Sequence, residues 1–173
     1  MKPPSLYTLT MQTILTEEDI KNKIRRIAYQ IYESNADEHE IILAGIAQNG
    51  FVIAGRLKEV IEQISDIKCT LCKVTMNKTK PLGTVKASLE PADYQNKSIV
   101  LVDDVLNSGA TLIYGIKYFL DVPLKKFKTA VLVNRNHKKY PVKADFKGIS
   151  LSTSLSERVK VRFTKNGDSA FLE

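Results

Sequence analysis

Two adjacent carboxylates followed by a loop of small residues are the part of this sequence best suited to chemistry. Asp103 and Asp104 end an aliphatic run that begins at Ser98, and residues 107–111 (Asn-Ser-Gly-Ala-Thr) come shortly after them. The loop leads into a predicted helix, whose first amides have no intrahelical partner and therefore favour an anion such as phosphate. An acid pair next to such a loop predicts a ligand with both hydroxyls and a phosphate, that is, a ribose 5-phosphate.

The elements around the acid pair are predicted to be a strand, a turn and a helix. Residues 98–102 are mostly aliphatic and β-branched, which is typical of a strand buried on both faces of a parallel sheet. The helix is expected from Thr111 to Leu120. In open α/β sheets ligands bind outside the carboxyl ends of the strands, where the acids would lie. A capped strand–helix turn with an incidental acid pair is the alternative, but strand, double acid and Ser-Gly-x-Thr stand in register.

The composition is that of one soluble globular domain. The chain has 173 residues, 43% hydrophobic and 26% charged, and we expect residues 1–173 to form a single domain with an N-terminal arm at 1–13. No apolar run approaches the roughly 20 residues of a membrane span, and the Met-Lys-Pro-Pro start lacks the apolar core of a signal peptide. The prediction is a cytoplasmic protein that does not contact a membrane.

The charge balance favours anionic partners. The formal net charge is +7, which suits nucleotides, pyrophosphate or RNA. The lysines are spread along the chain rather than gathered in a tail, so a solvated basic surface is the alternative interpretation.

The two cysteines are predicted to be structural. Cys69 and Cys72 lie in a predicted strand, where a spacing of three points them to opposite faces. We therefore expect buried free thiols rather than a zinc site or a redox pair. The chain has two histidines, His39 and His137, which is little material for a histidine-based triad or metal site.

Hydrophobic periodicity predicts further elements on both sides of the acid pair. Thr16 followed by three acids is a helix start, and apolar residues at helical spacing carry that helix to about Glu33. A second strand–turn–helix unit follows, with a strand at 41–44, a glycine-flanked turn at 45–50 and a helix from about 51 to 64. The remaining predicted strands are 68–76, 84–89, 127–133, 141–148 and 159–163, with a basic turn at 77–83.

Residues 102–111 resemble the signature of type I phosphoribosyltransferases. In that family the two acids hold the 2′ and 3′ hydroxyls of phosphoribosyl pyrophosphate (PRPP), and the loop amides and hydroxyls surround the 5′-phosphate. The resemblance implies an α/β fold with a central parallel sheet flanked by helices, a small hood and a β-hairpin flexible loop. It assigns ribose-phosphate binding to Asp103, Asp104, Asn107, Ser108, Gly109, Ala110 and Thr111. It also implies Mg²⁺, held indirectly by the two acids through PRPP or water.

The same resemblance gives roles to two other loops. The turn of the second unit would receive the pyrophosphate through Ala47, Gln48, Asn49 and Gly50. In the family this loop often holds a cis peptide, which here would be the Ala47–Gln48 bond. The basic turn occupies the place of the mobile loop, from which Lys78 or Lys80 could reach pyrophosphate. Lys78 thereby joins the two acids as a predicted catalytic residue.

From about residue 15 to residue 163 the chain is most similar to the PyrR branch, pyrimidine-operon attenuators that are also uracil phosphoribosyltransferases. The similarity is densest at 130–137, 141–148 and 153–159, the region that forms the hood over the base. By this resemblance Phe146 would stack on the base, the main chain at Lys147 would read its edge, and Asn134 would face the same space. Family members are usually dimers or larger, which implies a homodimer or higher oligomer here.

Several positions depart from the family pattern. The pyrophosphate loop carries Gln48-Asn49-Gly50 where the family has Thr-Arg-Gly, Ala110 stands where an arginine is usual, and Asn77-Lys78 is what remains of a Tyr-Arg-Asp cluster. Because arginine matters most for transition-state charge, these losses predict weaker catalysis than binding.

Asn107 bears on the choice of base. It stands where purine transferases have an aspartate, and an amide cannot act as a general base. Asn107 therefore argues against hypoxanthine and guanine.

Two functions stay open from the sequence. The first is transfer of a phosphoribosyl group from PRPP to a nucleobase, a pyrimidine such as uracil, giving the nucleoside monophosphate and pyrophosphate. The alternative is a degenerate transferase that senses a nucleotide or binds RNA as a regulator of pyrimidine genes, for which a contiguous basic face would be needed. A receiver-like switch also has adjacent acids after a strand, but it lacks the 107–111 loop.

The acid pair yields the first prediction. Asp103→Asn together with Asp104→Asn should abolish ribose-phosphate binding without unfolding the protein, because both acids are expected at a partly exposed strand end. Calorimetry with a nucleoside monophosphate, and circular dichroism for the fold, make the test. A double variant that binds as tightly as the wild type would show that the site is assigned wrongly.

Overall fold

The computed structural model describes residues 11–154 and 156–173. Most of the predicted arm, residues 1–10, lies outside these residues. The helices are α1 (Glu17–Ser34), α2 (Ala47–Ile64), α3 (Pro91–Tyr94) and α4 (Ala110–Phe119). The strands are β1 (Gln12–Leu15), β2 (Glu40–Ile46), β3 (Lys68–Thr75), β4 (Lys86–Ala87), β5 (Ser98–Leu106), β6 (Lys126–Arg135), β7 (Phe146–Leu151), β8 (Val159–Thr164) and β9 (Gly167–Leu172).

Two sheets organise the fold. The larger has six strands in the order β4-β3-β2-β5-β6-β7, with every pair parallel except the β3–β4 edge. The smaller has three antiparallel strands in the order β1-β9-β8, and we call it the hood. It differs from the predicted hood, because β6 and β7, which hold much of the segments 130–137 and 141–148, belong to the larger sheet. Strand β5 lies between β2 and β6, and its apolar residues contribute to the cores on both faces of the sheet, as its composition predicts. The predicted α/β architecture is confirmed.

Helix α1 follows the sequence signals closely. The Thr16 hydroxyl accepts from the Asp19 amide at 3.2 Å, and the Asp19 carboxylate accepts from the Thr16 amide at 2.9 Å. This reciprocal capping box stabilises the helix start by about 1 kcal/mol. Its apolar face is buried against α2 and the sheet through Ile20, Ile24, Ile27, Ala28 and Ile31.

The cysteines lie on opposite faces of β3, as predicted. Cys69 belongs to the core that also includes α1 and α2, whereas Cys72 belongs to the core on the other face. Both are buried and free. Burial raises the pKa of the Cys69 thiol to about 12, which leaves it protonated at neutral pH.

Glycine lets α2 approach the acid-bearing strand. A Cβ on Gly50 would lie 2.5 Å from the Val102 carbonyl oxygen, and a Cβ on Gly45 would lie 2.4 Å from the Phe51 Cα. Neither position has room for a side chain. The first turn of α2 therefore rests directly on β5, one residue before Asp103.

The predicted pyrophosphate loop differs from expectation. Helix α2 begins at Ala47 rather than near residue 51, so the loop is the first helical turn. Within the described residues every peptide bond is trans. The expectation of a cis bond between Ala47 and Gln48 is therefore wrong. Ala47 instead has φ +47, in the left-handed region.

Other boundaries also differ. Strand β4 has two residues instead of the predicted six, and the strand predicted from residue 141 begins at Phe146. Strand β9 was not predicted. It pairs with β8 across the two-residue turn Lys165-Asn166, with Thr164 opposite Gly167, and the Asn166-Gly167 dipeptide was the available turn signal. In the part of the chain that the structure describes, none of the helices has the length and apolarity needed to cross a membrane.

The contact of Gly50 with β5 yields a stability prediction. Gly50→Ala should lower the free energy of unfolding by about 1–3 kcal/mol, because the methyl group meets a backbone carbonyl that cannot move without distorting β5. Urea denaturation makes the measurement. Gly55→Ala on the same helix is the matched control, since nothing lies within 4 Å of its Cβ. Equal stability of the two variants would contradict this close approach.

Candidate functional site

A cavity of about 310 Å³ lies at the carboxyl end of β5. Its lining combines the acid pair, the predicted phosphate loop, one lysine of the basic turn and one residue of the hood. The lining residues are Lys78, Asp103, Asp104, Val105, Leu106, Asn107, Ser108, Gly109, Ala110, Thr111, Leu112 and Val159. The structure thus brings the predicted ribose-phosphate residues and Lys78 to one place.

The two carboxylates share one ammonium group. Lys78 Nζ donates to Asp103 Oδ1 at 2.9 Å and to Asp104 Oδ1 at 3.4 Å. Asp103 Oδ1 also accepts from the Asp104 amide at 2.9 Å, and Asp104 Oδ1 accepts from the Val105 amide at 2.8 Å. Asp103 is 1% exposed, so the expectation that both acids are partly exposed is wrong for this residue. It is buried because β5 continues to Leu106 instead of ending before the acids.

Burial and charge act in opposite directions on the three groups. Burial, reinforced by the Asp104 charge, raises the pKa of Asp103 to about 7. Burial also raises the pKa of Asp104, but the Lys78 ammonium and the Asn49 amide outweigh it and hold that pKa below its usual value. Burial lowers the pKa of Lys78, and the two carboxylates more than compensate. Near neutral pH the cluster therefore holds a charged Lys78, an ionised Asp104 and an Asp103 that is protonated in part of the molecules.

A local turn holds Lys78 in place. The Asn77 side-chain oxygen accepts from the amides of Thr79 and Lys80, at 3.0 and 3.1 Å, which is an Asx turn. The Thr84 hydroxyl accepts from the Asn77 amide at 3.1 Å across the hairpin. Lys80 lines a separate cleft beside the phosphate loop, so Lys78 is the lysine of this turn that contacts the acids.

The phosphate loop has the backbone that its sequence predicts. Gly109 has φ +87, and a Cβ there would lie 2.4 Å from Val142 Cγ2. The Ser108 carbonyl accepts from the amides of Lys139 and Tyr140, at 2.8 and 3.0 Å, and this fixes the loop from outside. The Ile113 amide bonds the Gly109 carbonyl, so the amides that precede it in α4 have no intrahelical acceptor. That they bind a phosphate stays a prediction.

The predicted pyrophosphate loop reaches the acid pair through Asn49. Asn49 Nδ2 donates to Asp104 Oδ2 at 2.8 Å and to the Val161 carbonyl at 2.9 Å. Asn49 therefore links the acid pair to β8 of the hood, at the position where the family has an arginine. Ala47 and Gln48 precede it in the same turn, and Gly50 places the turn against β5.

The residues predicted to bind the base lie on the paired strands β6 and β7, and none of them lines this cavity. Asn134 lies at the carboxyl end of β6, in register with Leu106 of the cavity, and its Oδ1 is buried without a hydrogen-bond partner among the described residues. Phe146 begins β7 and packs against the hydrophobic core. It is in register with Ala130 of β6, which in turn pairs with Val102, the residue before Asp103. That Phe146 stacks on a base stays a prediction.

Lys147 is in register with Val131 of β6 and, through it, with Asp103. Its carbonyl accepts from Arg26 Nη2 at 3.2 Å, and the residue does not line the cavity. That this main chain reads a base edge stays a prediction.

Sequence reasoning gave no role to Arg135. This arginine is 6% exposed and connects the phosphate loop to the segment that follows β7, through Asn107, Thr153, Ser154 and Glu157. A buried arginine at the end of a strand was the available signal, because a charge is rarely buried without partners.

The raised pKa of Asp103 gives a pH prediction. Unfolded Asp103 ionises near pH 4 and folded Asp103 near 7, so its contribution to stability is present at low pH and is lost as the pH rises from about 4 to 7. The free energy of unfolding of the wild type minus that of Asp103→Asn should therefore fall between pH 4.5 and 8. Urea titrations at several pH values measure the difference. A rise over this range would mean that Lys78 outweighs burial.

Comparisons with known proteins show the family of the chain. A family model described as "Phosphoribosyl transferase domain" matches residues 11–162. "Bifunctional protein PyrR" of Bacillus subtilis is 37% identical over 161 residues, covering 86% of this chain and 88% of that protein. The PyrR protein of Chloroflexus aurantiacus is 33% identical over 157 residues, with 86% of each chain covered.

Solved structures agree on the fold. A hypoxanthine-guanine phosphoribosyltransferase from Bacillus anthracis has a TM-score of 0.71 at 23% identity, covering 86% of this chain and 84% of that one. The hypoxanthine phosphoribosyltransferase of Trypanosoma cruzi has a TM-score of 0.71 at 16% identity, with 86% and 84% covered. Fold, signature loop and sequence similarity together show that the chain is a phosphoribosyltransferase of the type I family and belongs to its PyrR branch.

Proposed function

We propose that this protein transfers the phosphoribosyl group of PRPP to a pyrimidine base, uracil, to give the nucleoside monophosphate and pyrophosphate. The observation that carries the proposal is the cavity in which the acid pair, the loop 107–111 and Lys78 meet. Asp103 and Asp104 would hold the ribose hydroxyls while the loop amides hold the 5′-phosphate. Bond formation from the base to C1′ then accompanies cleavage of the bond from C1′ to pyrophosphate, so positioning supplies most of the catalysis.

Lys78 has two tasks in this proposal. Without ligand its ammonium neutralises the buried carboxylates. When the ribose hydroxyls donate to the two carboxylates in its place, the Lys78 ammonium becomes free to approach the leaving pyrophosphate from the hairpin. The same lysine therefore stabilises the unliganded protein and takes part in the reaction.

Mg²⁺ fits the site only as a metal that the substrate carries. Among residues 11–154 and 156–173 no group of three or more histidine, cysteine or acidic side chains is arranged to hold a metal ion. The two carboxylates are too few for a closed protein site. When bound with PRPP, the ion would neutralise pyrophosphate charge, with Asp103 and Asp104 as indirect partners.

Calorimetry with PRPP and Mg²⁺, followed by product analysis with a panel of bases, tests the proposal. We expect saturable PRPP binding and uridine monophosphate as the main product. Tight PRPP binding without product from any base would refute transferase activity and support a sensor. Absence of PRPP binding would refute the site itself.

The missing arginines favour a second candidate function, a nucleotide-sensing or RNA-binding regulator of pyrimidine genes. Asn49 bonds Asp104 and the hood instead of offering a cation, and Ala110 has no charge to offer. An RNA-binding function predicts an affinity that falls steeply with salt. A binding isotherm on pyrimidine-gene leader RNA at several salt concentrations distinguishes it from enzyme activity alone. We also propose that the protein is cytoplasmic and acts as a homodimer or higher oligomer, which sedimentation would test.

Restoring the family charges tests the weak-catalyst interpretation. Ala110→Arg with Asn49→Arg should raise the rate of uracil transfer more than it tightens nucleotide binding, because one charge-stabilising donor contributes about 10²–10³ in rate. The measurements are kcat and the nucleotide Kd at matched Mg²⁺ and salt.

The matched control adds the same charge elsewhere, as Asn22→Arg with Gln63→Arg on α1 and α2. It should leave the transfer rate unchanged. A wild type that already turns over at about 10 s⁻¹, an ordinary enzyme rate, would contradict the interpretation.

A further inference from the structure

Arg135 makes an unusually complete set of contacts for a residue without an assigned role. Its Nε and Nη2 donate to Thr153 Oγ1 at 2.9 and 2.7 Å, and Nη2 also donates to the carbonyls of Ser154 and Glu157 at 3.2 and 2.7 Å. Its Nη1 donates to Asn107 Oδ1 at 2.9 Å. The guanidinium therefore holds the end of β6 against two segments that are distant in sequence.

The contact with Asn107 fixes the direction of the amide. A guanidinium has donors and no acceptor, so the Asn107 atom that faces it has to be the oxygen. The amide nitrogen then lies on the side away from Arg135. The flipped amide is disfavoured because it would set its own donor against a donor of the buried Arg135.

The location of Asn107 gives this orientation a consequence. Asn107 is exposed and lines the cavity, directly after the strand that carries the acid pair. Its Oδ1 is occupied by Arg135, and among the described residues nothing accepts from its Nδ2. A ligand seated on the acids and the loop is therefore offered a hydrogen-bond donor.

We propose that Arg135 is a positioning residue that turns the Asn107 amide toward the ligand, so that Asn107 donates to a carbonyl of the base. The inference rests on the proposed function, since it takes the acid pair and loop to hold the ribose 5-phosphate. It adds a recognition element for the base that the sequence left open. The ligand class is a nucleotide whose base has a keto oxygen near the sugar, as the 2-carbonyl of uridine monophosphate is.

The test compares two probes, uridine monophosphate and ribose 5-phosphate, by calorimetry at one pH and salt concentration. The ratio of their dissociation constants isolates the contribution of the base. Asn107→Ala and Arg135→Met should each reduce this ratio about five- to tenfold, which corresponds to one ordinary hydrogen bond. The double variant should reduce it no further than either single change, because the two residues act as one unit.

Asn107→Asp tests the orientation without changing the arginine. Aspartate still accepts from Arg135 but turns an oxygen toward the ligand, so the ratio should fall as far as in Asn107→Ala. A ratio that stays at the wild-type value in Asn107→Asp or Asn107→Ala would overturn the proposal, even if Arg135→Met fails to fold. Asn136→Ala, which removes an exposed amide bonded to Ser152, is the control and should keep the ratio.

The remaining outcomes separate this inference from the proposed function. A purely structural role for Arg135 would weaken both probes equally, leave the ratio unchanged in Arg135→Met and overturn the positioning role. Failure of ribose 5-phosphate to bind the wild type would overturn the proposed function and the inference together. Normal ribose 5-phosphate binding with an insensitive ratio would overturn the inference alone.

Discussion

The ion pair of Lys78 with Asp103 and Asp104 is the interaction on which the rest of the site depends. Two adjacent carboxylates on a central strand are costly to bury, and one of them is almost fully enclosed. The fold compensates with an ammonium from the hairpin, an amide from α2 and backbone N–H groups of β5 itself. Each of these partners comes from a different element, so the cluster connects the hairpin, α2 and β5.

The same compensation makes the cluster exchangeable. A lysine side chain that is 40% exposed can leave without opening the core, whereas the acids cannot move because they are part of β5. Ribose hydroxyls that donate to the carboxylates would replace the hydrogen bonds of the ammonium while the strand remains unchanged. The binding site is thus a pair of fixed carboxylate acceptors, and the Lys78 ammonium that donates to them can be replaced by ribose hydroxyls.

What the sequence could predict follows from how local each signal is. The acid pair, the Gly109 turn, the α1 capping box and the opposed cysteines all depend on neighbouring residues, and each lies where the pattern predicts. Phe146 and Arg135 depend on contacts between distant segments, which periodicity does not encode. The resemblance assigns Phe146 to the base, and the strand register places it at the level of Val102, two strands away from the acid pair. The trans backbone at Ala47 and the burial of Asp103 likewise depend on how α2 and β5 pack together.

The central claim is that the acid pair and the loop 107–111 together hold a ribose 5-phosphate. The most direct test is a titration with ribose 5-phosphate in which nuclear magnetic resonance monitors the backbone amide signals. Free ribose is the comparison. The account predicts saturable shifts at Ser108, Gly109 and Thr111, accompanied by a shift at Lys78 as its ammonium leaves the acids, and much weaker shifts with ribose. Shifts confined to other surfaces, with the loop and Lys78 unaffected at saturation, would contradict it.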